Sequence, residues 1–335
     1  MIKQAVLGCG RWGSFHLWYG SRIGNEVYGW EPAGFSVFEE LMKERKNEYL
    51  ELPTDVSLTN DLSIISEMDI IMITVPAQSF RGLAKQLSKF DLINTDIVLC
   101  MKGIELGSHK RLTVVAAEEN IRARSISIWV GPGHPQQFIE QVPSCMLIVS
   151  EKMATADRIA RMMGSDLIRF YRSIDLPGCE LGAAAKNVIG IAAGFLDGLR
   201  LGGLKGALMA RAPQEVGKLI SAIGGDWRSV YGLSHLGDYE ATLFSPFSRN
   251  RRYGEMLVRG EQLESLAEGV ATSHAIRSRG RELGVDMPIT SVVSDVIDGL
   301  IKPEDAVRIL FKRPEKTEFP DEFNRVHIEG TSDHG

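Results

Sequence analysis

Cysteine is scarce in this sequence: only four occur among 335 residues, and no two form a Cys-x-x-Cys pair. The four are Cys9, Cys100, Cys145 and Cys179. Three of them lie in or beside apolar runs, as small buried side chains do in a reducing compartment. The pattern therefore argues against a disulfide framework, and we expect no metal site.

A large excess of one charge is also lacking, since 38 Lys and Arg stand against 43 Asp and Glu. This balance gives no general electrostatic reason to bind nucleic acid or an acidic membrane. The apolar run before the first glycines is too short for a signal peptide. The longest apolar stretch, Leu181–Leu196, is shorter than the roughly 20 residues that span a bilayer and contains Lys186 and Asn187. We therefore expect a cytoplasmic protein that acts on a small molecule, without nucleic-acid or membrane partners.

Short β-branched runs alternate with helical segments in the first half. The predicted strands cover 4–8, 26–30, 69–75, 96–101, 125–130, 144–150 and 167–173. The predicted helices between them include 38–49, 80–87, 110–119 and 154–163. Continuous apolar strands separated by helices are typical of a sheet covered on both faces. The fold class is thus α/β, with an amino-terminal Rossmann-type, doubly wound, mostly parallel sheet.

The second half contains no strand pattern and reads as a set of helices rich in small residues. They cover 181–196, 207–223, 255–268, 270–283, 289–300 and 303–311, with Gly, Pro and polar turns between them. This predicts a carboxy-terminal all-α domain. We expect a dinucleotide-binding domain at 1–175, a helical domain at 176–316 and a polar tail at 317–335.

A glycine-rich turn directly follows the first strand. Gly8, Gly10 and Gly13 have the G-x-G-x-x-G spacing, in which the chain turns tightly, a pyrophosphate approaches and the next helix packs on the strand. Glu31 ends the second strand, where an acidic side chain binds the ribose hydroxyls of NAD. The alternative is a merely structural turn. The sequence favours an NAD site, with NADP possible.

Ligands of open α/β sheets bind at the carboxyl ends of the strands. That rule selects three segments: 74–78, Lys102 with Gly103, and 131–134. Lys102 is there either to bind a substrate anion or as a solvated residue at a strand end.

Lys186 stands beside Asn187 in a helix that is otherwise small and apolar. A buried ammonium loses hydration, and its pKa falls toward the range useful for proton exchange at neutral pH. The alternative is a lysine that extends along the helix to solvent.

Two further segments offer polar groups that suit a site. Asp238 precedes Thr242 by four residues, on one face if the segment is helical, although an aspartate there could simply cap a helix. Ser248, Arg249 and Asn250 place hydroxyl, guanidinium and amide donors within one turn, as phosphate binding requires. A basic surface loop is the alternative.

The chain resembles the NAD(P)-dependent glycerol-3-phosphate dehydrogenases of the soluble bacterial type. The resemblance rests on GCGRWG at 8–13, MKGIE at 101–105, GPGHP at 131–135, ELGAAAKNVIGIAAGFLDGL at 180–199, LGD at 236–238, SPFSRNRRYG at 245–254 and GVDMPIT at 284–290. It implies reversible reduction of dihydroxyacetone phosphate to sn-glycerol 3-phosphate, which supplies phospholipid synthesis. It also implies a homodimer, the common state of the family.

The same resemblance implies roles for individual residues. Lys186 exchanges the proton at the substrate oxygen, while Asp238 and Thr242 orient it. The residues implied on the substrate side are Lys102, Gly131, Gly133, Asn187, Ser248, Arg249 and Asn250. Those implied on the cofactor side are Gly8, Gly10, Arg11, Trp12, Gly13, Glu31, Lys102, Pro135, Arg249 and Glu268.

Two segments depart from the family pattern. GPGHPQQF stands where G-P-[ST]-F-A-x-E is usual, so that Gly133 replaces a hydroxyl residue and His134-Pro135 replace a helix start. GGLKGALMARA, at 202–212, is shorter before Lys205 than the usual segment and lacks its asparagine. The departures leave two alternatives open: a related dehydrogenase for another small phosphorylated or 3-hydroxy substrate, and a dinucleotide sensor without catalysis.

Overall fold

The computed structural model describes residues 1–261, 267–315 and 317–318. Its first part is built on one eight-stranded sheet. The strands are β1 (Lys3–Leu7), β2 (Glu26–Trp30), β3 (Ser57–Thr59), β4 (Ile70–Ile73), β5 (Leu92–Leu99), β6 (Ala123–Val130), β7 (Ser144–Ser150) and β8 (Ile168–Ser173). The predicted tail lies outside the described residues except for 317 and 318, so this prediction is untested.

The sheet has the strand order β3-β2-β1-β4-β5-β6-β7-β8. All neighbours pair parallel except β6 and β7, which pair antiparallel. The order reverses direction at β1, whose last residue, Leu7, pairs with Trp30 on one side and Ile73 on the other. Such a reversal leaves a crevice at the carboxyl ends of the strands, and ligands of open sheets bind there. The mostly parallel sheet confirms the fold class predicted for this half.

Helices cover both faces of the sheet. They are α1 (Arg11–Arg22), α2 (Ser36–Glu44), α3 (Phe80–Leu87), α4 (Leu112–Glu118), α5 (Pro135–Ile139) and α6 (Met153–Met163). Alternate residues of β4 enter different cores: Ile71 and Ile73 pack under α3 and α4, whereas Ile70 and Met72 pack under α1 and α6. All four are fully buried, as expected when a strand is apolar on both sides.

The second part is helical. Its helices are α7 (Leu176–Gly198), α8 (Lys205–Ala222), α9 (Arg249–Arg259), α10 (Glu268–Glu282), α11 (Pro288–Ile297) and α12 (Pro303–Phe311). Short 3-10 turns and one π-helical turn, Glu240–Phe244, connect α8 to α9. The all-α prediction for this half is confirmed.

Helix α7 is the buried centre of the helical part. The Asp175 side chain caps its first turn by accepting a hydrogen bond from Gly178 N at 3.0 Å. Its 23 residues are long and apolar enough to span a membrane by length and composition, but 94% of its apolar window is buried inside the protein. Helix α9 crosses it at backbone contact, because a Cβ on Gly194 would lie 2.0 Å from the carbonyl oxygen of Arg251. Only glycine permits this crossing.

The structure corrects two predicted helices and adds one strand. The predicted helix 38–49 ends at Glu44, because Arg45 adopts a left-handed conformation (φ 57°). The predicted helix 255–268 is wrong. Helix α9 begins after Ser248, which caps it, and ends at Arg259, before the left-handed Gly260 (φ 70°), and Glu268 begins α10. The short edge strand β3 has no apolar alternation in the sequence and was not predicted.

Candidate active site

The three glycines of the first turn have three different environments. Gly8 has φ +101°, and a Cβ there would lie 2.7 Å from Val75 N. A Cβ on Gly13 would lie 1.7 Å from the carbonyl oxygen of Gly8, so α1 packs directly on the turn. A Cβ on Gly10 would meet nothing within 4 Å. The free space at Gly10, beside the amino terminus of a 12-residue helix without a side-chain cap, fits a bound pyrophosphate.

These differences predict that alanine at Gly13 lowers stability, whereas alanine at Gly10 weakens cofactor binding. We expect Gly13→Ala to destabilise the protein by at least about 2 kcal/mol, because the new methyl overlaps backbone. We expect Gly10→Ala to leave the melting temperature unchanged and to weaken NADH binding by about tenfold or more, since its methyl occupies the space of the phosphates. Thermal unfolding and fluorescence titration with NADH measure the two effects. If Gly10→Ala binds NADH as wild type does, the pyrophosphate does not approach this turn.

Glu31 directly follows β2, and its side chain is directed back to the glycine turn. Its Oε1 accepts a hydrogen bond from Cys9 N at 2.7 Å. Burial raises the pKa of Glu31, and the hydrogen bond from Cys9 opposes that rise. The carboxylate therefore lies at the sheet edge where the ribose of a dinucleotide would contact it.

A cleft of 730 Å³ runs from this turn to the helical part of the chain. From the sheet side it is lined by Gly8, Gly10, Arg11, Trp12, Glu31, Gly133, His134 and Pro135, among others. From the helical side it is lined by Lys186, Asn187, Thr242, Ser248, Arg249, Asn250 and Glu268, among others. The structure thus brings fourteen of the predicted site residues, together with His134, to one cavity between the two parts. The other four predicted residues do not line it: Gly13, Lys102, Gly131 and Asp238.

Lys186 lies at the inner end of this cleft, in the middle of α7. Lys186 is only 7% exposed to solvent, so the alternative of a lysine that extends to solvent is wrong. Its Nζ donates to Oδ2 of Asp238 and, at 3.0 Å, to Oγ1 of Thr242. Thr242 in turn donates its hydroxyl proton to the carbonyl oxygen of Asp238, at 2.7 Å. The three residues form one hydrogen-bonded group.

Lys102 lies behind this group, at the end of β5. Its Nζ donates to the same oxygen, Asp238 Oδ2, at 2.8 Å and to the carbonyl oxygen of Gly131 at 2.9 Å. Asn187 Nδ2 donates to the carbonyl oxygen of Lys102 at 2.9 Å. One carboxylate oxygen therefore serves two lysines, while buried Oδ1 of Asp238 has no partner in the described part of the chain.

The electrostatics of the cluster favour a lysine that can lose its proton. Burial is the largest influence on Lys186, and it lowers the pKa to about 7. The charge of Asp238 opposes this fall, while the neighbouring charge of Lys102 adds to it. Both protonation states of Lys186 are therefore accessible near neutral pH.

The segment that precedes α9 forms the opposite wall of the cleft. Ser248 Oγ accepts from Arg251 N at 3.3 Å as the helix cap, and Asn250 Oδ1 accepts from Gly269 N at 2.9 Å. The Ser248 hydroxyl proton, the Asn250 Nδ2 group and the exposed Arg249 guanidinium remain as donors on this wall. Arg249 also donates to the hydroxyl of Tyr49 at 2.9 Å, across the two parts of the chain.

Tyr49 contacts two arginines of the cleft, Arg11 and Arg249, although no sequence pattern indicates it. It was assigned to a helix, but it follows that helix in a loop that brings its ring to Arg11, with the guanidinium 5.6 Å from the ring centre. The hydrogen bond from Arg249 to the Tyr49 hydroxyl forms only when this loop packs against the helical part.

The two departures from the family pattern have structural explanations. A Cβ on Gly133 (φ +154°) would lie 2.5 Å from the Phe138 ring, so that a serine or threonine does not fit there beside Phe138. Lys205 Nζ donates to Asp197 Oδ2 at 2.8 Å and to the carbonyl oxygen of Leu243 at 2.9 Å. Lys205 therefore binds the backbone of Leu243, the residue next to Thr242, on the side away from the cleft.

Comparisons with known proteins agree with this geometry. Sequence models described as the N-terminus and the C-terminus of NAD-dependent glycerol-3-phosphate dehydrogenase match residues 3–156 and 175–308. The chain belongs to this dehydrogenase family. A glycerol-3-phosphate dehydrogenase [NAD(P)+] of Rhodopseudomonas palustris (strain TIE-1) is 34% identical over 323 residues, which cover 94% of this chain and 98% of the relative. A second glycerol-3-phosphate dehydrogenase [NAD(P)+], from Desulfitobacterium hafniense (strain Y51), is 33% identical, and the match covers the full length of both chains.

Solved structures of the glycerol-3-phosphate dehydrogenase family share the two-part fold. The enzyme of Coxiella burnetii superposes with a TM-score of 0.86 at 26% identity, covering 93% of this chain and 99% of that one. Family membership confirms the resemblance stated from the sequence, the NAD(P) cofactor class and the assignment as an oxidoreductase. The first family match ends at residue 156 and the second begins at 175. The predicted domain bounds stay predictions.

Proposed function

We propose that this enzyme reduces dihydroxyacetone phosphate to sn-glycerol 3-phosphate with NADH or NADPH, and catalyses the reverse reaction. The observation that supports this most is the Lys186–Asp238–Thr242 group. Lys186 and Thr242 line one cleft with the dinucleotide turn and the Ser248–Asn250 wall, and Asp238 is buried behind them. We further propose a cytoplasmic homodimer whose product supplies phospholipid synthesis, as the resemblance implies.

The cofactor is expected to lie along the sheet side of the cleft. Gly10 and the amino terminus of α1 would receive its pyrophosphate, and Glu31 would bind its ribose hydroxyls. When bound, NAD(P)H supplies the hydride that reduces the substrate carbonyl carbon. Arg11, Trp12, Pro135 and Glu268 line the same cavity and complete the proposed cofactor wall.

Lys186 is proposed as the proton donor in the direction of reduction. Its ammonium stabilises negative charge that develops on the carbonyl oxygen and then transfers a proton to it. Asp238 and Thr242 hold Nζ in place, each through one hydrogen bond. Lys102 donates to the same carboxylate oxygen of Asp238 as Lys186 does. This second interaction weakens the ion pair between Asp238 and Lys186.

The phosphate of the substrate is proposed to bind at the beginning of α9. The helix contributes free N–H groups there, and Ser248, Arg249 and Asn250 add hydroxyl, guanidinium and amide donors. Binding the phosphate away from the reacting carbon orients the substrate against Lys186.

The direct test is NADH oxidation with dihydroxyacetone phosphate, beside dihydroxyacetone as the unphosphorylated control. We expect turnover with the phosphate ester and at least about a hundredfold lower kcat/KM without it, because the phosphate contacts are lost. Activity only on a different phosphorylated or 3-hydroxy carbonyl compound would favour a related dehydrogenase. NADH binding without turnover of any carbonyl compound would favour a sensor.

The pH dependence of this reaction follows from Lys186. Its pKa is lowered to about 7, so its ammonium form predominates below that pH. We expect kcat for reduction to be constant at acidic pH and to fall tenfold per pH unit above about 7. We expect kcat for oxidation, which needs the neutral amine, to rise with pH up to about 7 and to be constant above it. Steady-state rates in both directions across pH 5.5–9 would measure the two profiles. Parallel profiles in both directions would contradict the assignment of Lys186 as the proton donor.

A further inference from the structure

His134 lies in the loop between β6 and α5, where the family pattern has no histidine. Its Nε2 is 3.0 Å from the carbonyl oxygen of Ala241, in the π-helical turn of the other part of the chain. Its Nδ1 is 3.5 Å from Nη2 of Arg11, and its ring meets that of Phe247 edge to face at 5.7 Å. The imidazole thus connects the loop on the sheet side to the helical part across the cleft.

The two contacts determine the protonation of the ring. A carbonyl oxygen only accepts, so Nε2 carries the proton that is donated to Ala241. A guanidinium only donates, so Nδ1 offers its lone pair to Arg11. Burial, and after it the charge of Arg11, lowers the pKa of His134 to about 4, which keeps the ring neutral. Both nitrogens are occupied, so His134 is not a proton donor to the substrate.

The carbonyl of Ala241 needs a donor from outside its own turn. In an α-helical pattern this donor would be the N–H of Ser245, but that group donates to Glu240 O at 3.3 Å. In a π-helical pattern it would be the N–H of residue 246, which is proline. Nε2 of His134 supplies the hydrogen bond that neither of them makes.

We propose that His134 is a positioning residue that fixes the π-helical turn and thereby holds Thr242 against Lys186. Ala241 and Thr242 are adjacent, and Thr242 Oγ1 accepts from Lys186 Nζ at 3.0 Å. A shift of the Ala241 carbonyl therefore moves the acceptor that orients the proton donor. This inference rests on the proposed function, and it assigns to the sheet-side loop a part in aligning the chemistry.

Three substitutions separate the two contacts of the ring. The amide nitrogen of His134→Gln can reach the position of Nε2, whereas that of His134→Asn can reach only the position of Nδ1. His134→Ala removes both. We expect kcat for dihydroxyacetone phosphate reduction to fall about tenfold in the alanine and asparagine variants and to return within about threefold of wild type in the glutamine variant. The KM for NADH should change less than about threefold in all three.

The pH profile separates positioning from a loss of folding. Thr242 accepts a hydrogen bond from the ammonium form of Lys186, so its displacement favours the neutral amine. The midpoint of the kcat profile should therefore move to lower pH in His134→Ala and return toward the wild-type value in His134→Gln. A merely structural role would leave the midpoint unchanged. An unchanged midpoint and kcat in His134→Ala, or rescue by asparagine but not by glutamine, would overturn the proposal.

A measurement without substrate keeps this inference separate from the proposed function. Nitrogen-15 NMR of the full chain should show His134 neutral at pH 7 with its proton on Nε2, and the Thr242 methyl signal should move in His134→Ala and not in His134→Gln. A charged ring or an Nδ1 proton would overturn the inference, whatever the wild-type enzyme turns over. Failure of wild type to reduce dihydroxyacetone phosphate, with the NMR result as expected, would overturn the proposed function alone.

Discussion

Replacing Lys186 by methionine should lower kcat for carbonyl reduction by about a thousandfold or more, because the variant loses both the ammonium that stabilises the developing alkoxide and the proton that it donates. Methionine fills similar space in α7, and Asp238 keeps Lys102 as a cationic partner at 2.8 Å. We therefore expect the fold and NADH binding to survive. Single-turnover rates, NADH titration and thermal unfolding measure the three properties.

Lys205→Met is the matched control for loss of a buried ammonium. Lys205 is 8% exposed and pairs with Asp197 at 2.7 Å, next to the turn that carries Thr242 but behind it. This variant should lower the melting temperature and keep kcat within about tenfold of wild type. Lys186→Met with kcat close to that of wild type would show that the proton donor is another group. Equal losses in both variants would show that the effect is general to this helical core.

The second large effect is expected for Asp238→Asn. The substitution keeps the shape of the side chain but removes the negative charge between Lys102 and Lys186. Removal of one partner from a buried ionic group costs about 3 kcal/mol, which corresponds to roughly 4 °C in melting temperature for a chain of this size. We expect kcat to fall by about a hundredfold as well, because Nζ of Lys186 is no longer held by a charged acceptor.

The pKa of Lys186 depends on the charges of Asp238 and Lys102, so the pH profile of kcat tests this prediction. Asp238 raises the pKa of Lys186, so its loss should move the descending limb of the kcat profile to lower pH. Lys102 lowers the same pKa, so Lys102→Met should move that limb to higher pH. Shifts in the same direction for both variants would contradict the view that the two groups act on Lys186 through their charges.

Most of the fold could be predicted because its determinants are local. Apolar β-branched runs, a glycine turn and small-residue helices each indicate their own conformation, and the order of these elements indicates a two-part fold. The errors are equally local. The predicted helix 255–268 ignored the cap at Ser248 and the left-handed Gly260, both of which are visible in the sequence as an N-cap residue and a glycine.

The candidate site was predictable residue by residue but not as a network. Lys186 is conspicuous because a charge interrupts an apolar helix. The spacing of Asp238 and Thr242 selects them as candidates, and the resemblance implies their roles. The sharing of Asp238 Oδ2 by two lysines depends on the packing of β5, α7 and a 3-10 turn that are far apart in the chain. The contacts of Tyr49 and His134 likewise arise only when the two parts of the chain meet, so no sequence spacing indicates them.

The crossing of α7 and α9 has a consequence for how this protein is made. During synthesis α7 leaves the ribosome before α8, α9 and α10 exist, and these helices later cover most of its surface. At ordinary rates of translation the helix waits on the order of ten seconds for them. During that interval it is a 23-residue apolar segment that a membrane-targeting factor or a chaperone can bind. Lys186, at the centre of this segment, makes its insertion into a bilayer less favourable.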